Sequence, residues 1–183
     1  MTASSTSTTH ATLQAWTKSA SGAWVKHGYS IGAHIGSGGM TNSMSEFVAD
    51  TPMGSFGLTQ AFGRDGNPGT ALPYFRTTPA DWWISQRLPT YNTHQVCRTD
   101  NGNGCGYKAP SEHLYDEVPY YNYAVVIDYN TASRVYPRGS AVFLHVTDGQ
   151  PTAGCVAIPQ GDLVSIMRWL NPADHPRILI GVT

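Results

Sequence analysis

The sequence predicts a single mixed domain, mainly β with one α-helix (an α+β fold). Three observations carry that prediction: short apolar runs broken by glycine and proline, one stretch of helical periodicity just after residue 159, and no internal repeat or second domain. A chain of 183 residues can bury about two-thirds of the surface its unfolded form exposes, so one main core is expected.

The elements follow in order. The Ser/Thr-rich stretch Thr2–Thr12 has neither the basic start nor the apolar centre of a signal peptide, and residues 1–21 read as a flexible N-terminal segment ahead of a folded domain spanning 22–183. Ala23-Trp24-Val25 and Tyr29–Ile35 read as strands because glycine punctuates them. Gly36-Ser37-Gly38-Gly39 lacks the Gly-Lys-Ser/Thr ending of a phosphate-binding loop and reads as a turn. Thr51–Thr59 is a Pro/Gly turn leading into a strand. Arg64–Pro119 is long, poor in apolar runs and rich in Pro, Asn, Gly and aromatics, so it is expected to hold short elements and to form part of a cleft. Tyr123–Tyr129 reads as a central strand, and Ala141–Val146 as another. After Pro159, Leu163, Ile166, Met167 and Leu170 recur at helical offsets with Asp162 in the first turn, until Asn171-Pro172 stops the helix. Arg177–Val182 is a closing strand.

Charge narrows the partners. Eleven Lys plus Arg against twelve Asp plus Glu give a net charge of -1, which supplies no electrostatic drive toward nucleic acid or an anionic membrane. No apolar run approaches the roughly 18 to 20 residues that span a bilayer, so membrane insertion is not expected. No cofactor is expected either.

The three cysteines divide as two plus one. Cys97 and Cys105 flank a turn-rich loop and are expected to form a disulfide, which places the protein in an oxidising compartment; two buried thiols, or a zinc site with His94 and His113, are the alternatives. Cys155 is left as a free thiol. It follows Gly154 at the edge of an apolar segment, where glycine lets the backbone approach a substrate and where the Gly154 and Cys155 amides can face an oxyanion. A thiol of ordinary pKa is a few per cent thiolate at neutral pH, so a nucleophilic cysteine needs a base. His145, ten positions earlier at the end of Phe143-Leu144-His145-Val146, is the candidate, set opposite Cys155 by two antiparallel strands joined through the Thr147–Thr152 loop. A small buried Cys155 and a structural His145 are the alternatives without chemistry.

These residues carry a resemblance. His145 with Thr152-Ala153-Gly154-Cys155-Val156 resembles the signature of the L,D-transpeptidase (YkuD-like) family, which reads His, spacer, Ser/Thr-His-Gly-Cys-apolar-Asn; Glu46 with Thr51-Pro52-Met53-Gly54-Ser55-Phe56 resembles the family's upstream acidic residue and Thr-Pro-x-Gly-x-Phe. Ala153 and Ala157 depart from it, replacing a histidine and an asparagine, and the spacer is shorter than is typical.

The resemblance implies a β-sandwich with a helix after the catalytic cysteine strand. It implies Cys155 as nucleophile and His145 as base, its ring oriented by a carbonyl among Val146–Gly149. It also implies a thioester formed on peptidoglycan stem peptides by an extracytoplasmic, monomeric enzyme. Cross-linking results when an amine takes the acyl group, and hydrolysis when water does. A wall-binding module with an idle cysteine is the reading from another class. Thr152, Glu112, Trp83 and Tyr123 are the candidate substrate contacts, with Trp82, Tyr120 and Tyr121 as further cleft walls, His113 as another ammonium contact and Arg138 as a carboxylate holder.

Overall fold

The computed structural model describes residues 1–183. In chain order the strands are β1 (Thr2–Ala3), β2 (His10–Lys18), β3 (Trp24–His34), β4 (Gly39–Thr41), β5 (Asp50–Pro52), β6 (Gly54–Gly63), β7 (Tyr74–Arg76), β8 (Asp81–Trp83), β9 (His94–Val96), β10 (Glu112–His113), β11 (Ala124–Ile127), β12 (Phe143–Val146) and β13 (Val156–Ile158). The helix α1 (Gln160–Trp169) and the last strand β14 (Arg177–Val182) follow. The mainly-β fold with a helix after the Cys155 strand is the one expected.

The main sheet runs β11-β12-β13-β3-β2-β1-β14-β6-β7, and β6 also pairs with β11, so eight strands close into a ring with β7 attached outside it. Inside, a 23-residue apolar cluster joins alternate residues of the ring, among them Leu13, Ile31, Val125, Leu144, Val156 and Ile178, to Leu163, Ile166 and Met167 of α1. The helix starts just after Pro159 and ends before Asn171-Pro172, as the sequence indicates.

The N-terminal segment corrects the expectation of a flexible 1–21. Its residues are sheet: β1 lies parallel to β14 and antiparallel to β2, and β2 pairs with β3 from His10 to Lys18. Ala3, Ala11 and Leu13 point into the core while Thr2 and Thr12 face out. Hydroxyl side chains on the outer positions of a strand give the same composition as a solvated tail, which is why the stretch reads as one.

β11 and β12 are buried on both faces. Val125, Ile127, Leu144 and Val146 face the inner cluster, whereas Ala124, Val126 and Phe143 face a second one with Phe62, Trp83, Leu114 and Tyr121. The long segment 64–119 supplies that outer cover. It contains the small sheet β10-β8-β9, with Cys97 and Cys105 bridged beside Trp82 and Ile84.

Candidate active site

The outer face of β12 and β13 carries the chemistry. These strands are parallel, with Leu144 opposite Val156 and His145 opposite Ala157; the expected antiparallel pair does not form. The chain leaves β12 at Thr147, returns along the end of β3, where Thr152 donates to the Ile35 carbonyl and Ser37 donates to that of Thr152, and re-enters beside the start of β12. Parallel registry still serves the site, because residues two apart share a face: Cys155, Phe143 and His145 all lie outside the ring.

The Cys155 loop is held by two threonine hydroxyls. Thr152 Oγ1 donates to the Cys155 carbonyl at 2.7 Å and accepts the Gly154 N–H at 3.1 Å, and the buried Thr51 hydroxyl donates to the same carbonyl at 3.4 Å while accepting the Gly36 N–H at 2.8 Å. The Thr-Pro segment and the Gly-Cys segment therefore meet at Cys155. Gly154 has φ 141°, and a Cβ there lies 2.9 Å from the Asp50 carbonyl oxygen, so only glycine fits without strain. Since Thr152 occupies the Gly154 N–H, that amide is not free for an oxyanion as expected; the Cys155 N–H makes no hydrogen bond within the protein.

The half-buried Cys155 thiol donates to the Ala141 carbonyl at 3.2 Å and accepts the Phe143 N–H at 3.3 Å. Its hydrogen bonds are with these backbone groups, none with His145. Burial pushes the thiol pKa up, and the nearby Glu112 carboxyl pushes it further, partly offset by the Phe143 N–H. Ala141 is fixed from behind: Ser140 donates its hydroxyl to Glu46 at 2.7 Å, Glu46 also accepts from Tyr91, and the Ala141 N–H goes to Asn92.

His145 is buried at 5% exposure, with Nδ1 2.8 Å from the Val146 carbonyl. That contact assigns the Nδ1 proton and leaves Nε2 as the basic nitrogen. Burial lowers the His145 pKa, opposed by the Val146 carbonyl and by Asp148. The rings of Tyr120 and Tyr121 stand edge-on to the imidazole at 5.9 and 5.6 Å, and Tyr120 donates to Asp148 at 2.9 Å.

A pocket of about 370 Å³ joins these groups, lined by Cys155, His145, Glu112, Glu117, Tyr120, Tyr121, Asp148, Gln150, Pro151, Thr152, Ala153 and Ala157. Glu112 lies in it, accepts the Tyr121 hydroxyl and has its pKa raised to about 7, first by burial and then by Glu117 and Glu46. A larger hollow of about 600 Å³ along Ser55–Thr59, Asp128 and Arg177 contains neither Cys155 nor His145.

Of the proposed contacts, Thr152 and Glu112 reach the pocket, as do Tyr120 and Tyr121. Trp83 does not: it is core, edge-on to Phe143 with its indole N–H on Asn92. Tyr123 packs against the inner cluster, because strand alternation sends it to the face opposite Ala124. Trp82 is buried against His113, which contacts the Pro79 carbonyl and Asp116, and His94 pairs with Asp81 at 2.7 Å. Arg138 lies outside the pocket. Asp148 and Glu117 join the pocket beyond the residues expected from the sequence, where the position of Asp148 in the loop after His145 is the available signal.

A family model described as the YkuD L,D-transpeptidase catalytic domain matches residues 14–180 of the chain. No curated protein matches it, and no solved structure does.

Proposed function

Because the chain belongs to the YkuD family of L,D-transpeptidase catalytic domains, we propose that it is a cysteine acyltransferase acting on peptidoglycan stem peptides outside the cytoplasm, as a monomer. One observation carries the reading: the free Cys155 thiol and the Nε2 side of a tautomer-fixed His145 open into one pocket. His145 takes the thiol proton as Sγ turns from the Ala141 carbonyl to attack the carbonyl preceding a terminal D-Ala. The tetrahedral oxyanion is met by the Cys155 N–H. Collapse breaks the C–N bond, His145 returns the proton to the departing amine, and a thioester remains. A neutral amine of a second stem then attacks, its excess proton passes through His145 to the thiolate, and an amide cross-link forms. The acidic wall of Glu112, Glu117 and Asp148 supports an ammonium-bearing acceptor over water. Ala153 leaves the pocket mouth without the imidazole that the family signature places there.

Incubation with a carbapenem followed by intact mass measurement tests the acyl-enzyme. One adduct is expected, and none in Cys155→Ala; an adduct that survives that substitution sinks the proposal. Muropeptide dimers then separate cross-linking from D-Ala release alone.

A further inference from the structure

The β2–β3 hairpin presents an exposed surface of aromatic and basic residues. The first 45 residues contain no Asp or Glu, yet hold two of the chain's three lysines and two of its five tryptophans. The structure gathers these four on one surface. Trp16 pairs with Lys26 and Lys18 with Trp24, so all four side chains stand on one face of the ribbon, with Lys26 Nζ 5.7 Å from the Trp16 ring centre. Trp24 is 65% and Trp16 43% exposed.

This outer half of the hairpin has no other strand beside it. β1 reaches β2 only at Thr12, and β13 reaches β3 only at His34. The opposite face is occupied: His27 stacks on Trp169 of α1 at 4.9 Å, and Tyr29 donates to Asp162. The Trp/Lys face thus points away from the body.

The ribbon is also firmly joined to the ring. Opposite the single residue Gln14, β3 carries Gly28-Tyr29-Ser30, a bulge that Gly28 permits with φ 63°. Gln14 fills it, donating to the carbonyls of Ala15 and His27 at 2.9 and 3.0 Å and accepting the Ser30 hydroxyl at 2.9 Å. A preorganised surface loses little entropy on binding, and flat indoles exposed on it find no use in the fold itself.

We propose that this face binds a sugar polymer bearing carboxylate groups, the indoles of Trp16 and Trp24 stacking on sugar rings while Lys18 and Lys26 pair with carboxylates. The partner rests on the wall-directed function proposed above. Two features favour a polymer lying across the ribbon over a lipid surface. The hairpin tip, Ser19-Ala20-Ser21-Gly22-Ala23, is small and polar with nothing to insert, and the indoles lie on the flat of the strands.

The test is co-sedimentation of the full chain with insoluble peptidoglycan, comparing the parent with Trp16→Ser/Trp24→Ser and Lys18→Gln/Lys26→Gln. The tryptophan pair is expected to weaken binding about ten-fold or more, and the lysine pair several-fold with loss of salt sensitivity. Both variants should form the carbapenem adduct like the parent, which reports an intact fold and site. Parent protein that fails to sediment, or variants that sediment equally, overturn the proposal. So does a tryptophan variant that keeps wall binding but loses binding to phosphatidylglycerol vesicles. Absence of the adduct in the parent refutes the acyl-transfer reading alone, since sedimentation is scored separately.

Discussion

At the scale of single residues, the site holds its thiol protonated and waiting. Cys155 donates to the Ala141 carbonyl and sits beside the raised carboxyl of Glu112, so the thiolate is disfavoured until something offsets that charge. Glu112→Gln removes the anionic neighbour, and iodoacetamide alkylation of Cys155 at pH 8 is expected to speed up roughly 3- to 10-fold. The same carboxyl sets a stability trend. Its folded pKa of about 7 exceeds its ordinary 4.5, so the folded form retains a proton that the unfolded form releases, and stability falls as pH rises from 4.5 through 7. The loss is on the order of 3 kcal/mol. Buried His145 acts oppositely, its lowered pKa costing stability as pH falls below 6.5. The gain in melting temperature of Glu112→Gln over the parent should therefore grow with pH between 5 and 8; a constant difference counts against the assignment. His145→Gln keeps the shape but loses the base, and carbapenem acylation should slow at least roughly 100-fold.

At the scale of elements, the loop between β12 and β13 positions Cys155. Gly154→Ala drives a Cβ against the Asp50 carbonyl at a positive φ and should cost about 1–3 kcal/mol, read as a lower denaturant midpoint together with slower acylation. Thr152 is pinned to the end of β3, so extra residues between Gly149 and Gln150 should leave thiol labelling unchanged, whereas an insertion between Thr152 and Gly154 should abolish acylation. Cys155, His145 and the β12 run were legible in the sequence because an apolar strand ending in histidine and a glycine-cysteine pair are local patterns. The parallel registry was not, since the bonds of Thr152 to Ile35 and Ser37 link segments more than a hundred residues apart. Trp83 and Tyr123 were misplaced for a related reason: an aromatic residue looks alike in composition whether its strand faces core or cleft, and only the pairing settles the face.

At the scale of the molecule, the helix after Pro159 and the closing strand from Arg177 were readable from periodicity, but ring closure was not. It depends on β6 finding β11 and on β1 entering between β2 and β14. The bridge from Cys97 to Cys105 spans a short loop, and Cys97→Ser/Cys105→Ser should cost about 2–3 kcal/mol, lowering the melting temperature by about 5–10 °C. The contact of β1 with β14 has another consequence, for the order of assembly. Thr2 lies beside Gly181 and Ala3 beside Val182, so β1 gains its second neighbour only from the strand most distant from it in sequence. Contacts of such sequence separation slow folding, and the β1–β14 seam is expected to be among the last parts of the ring to close.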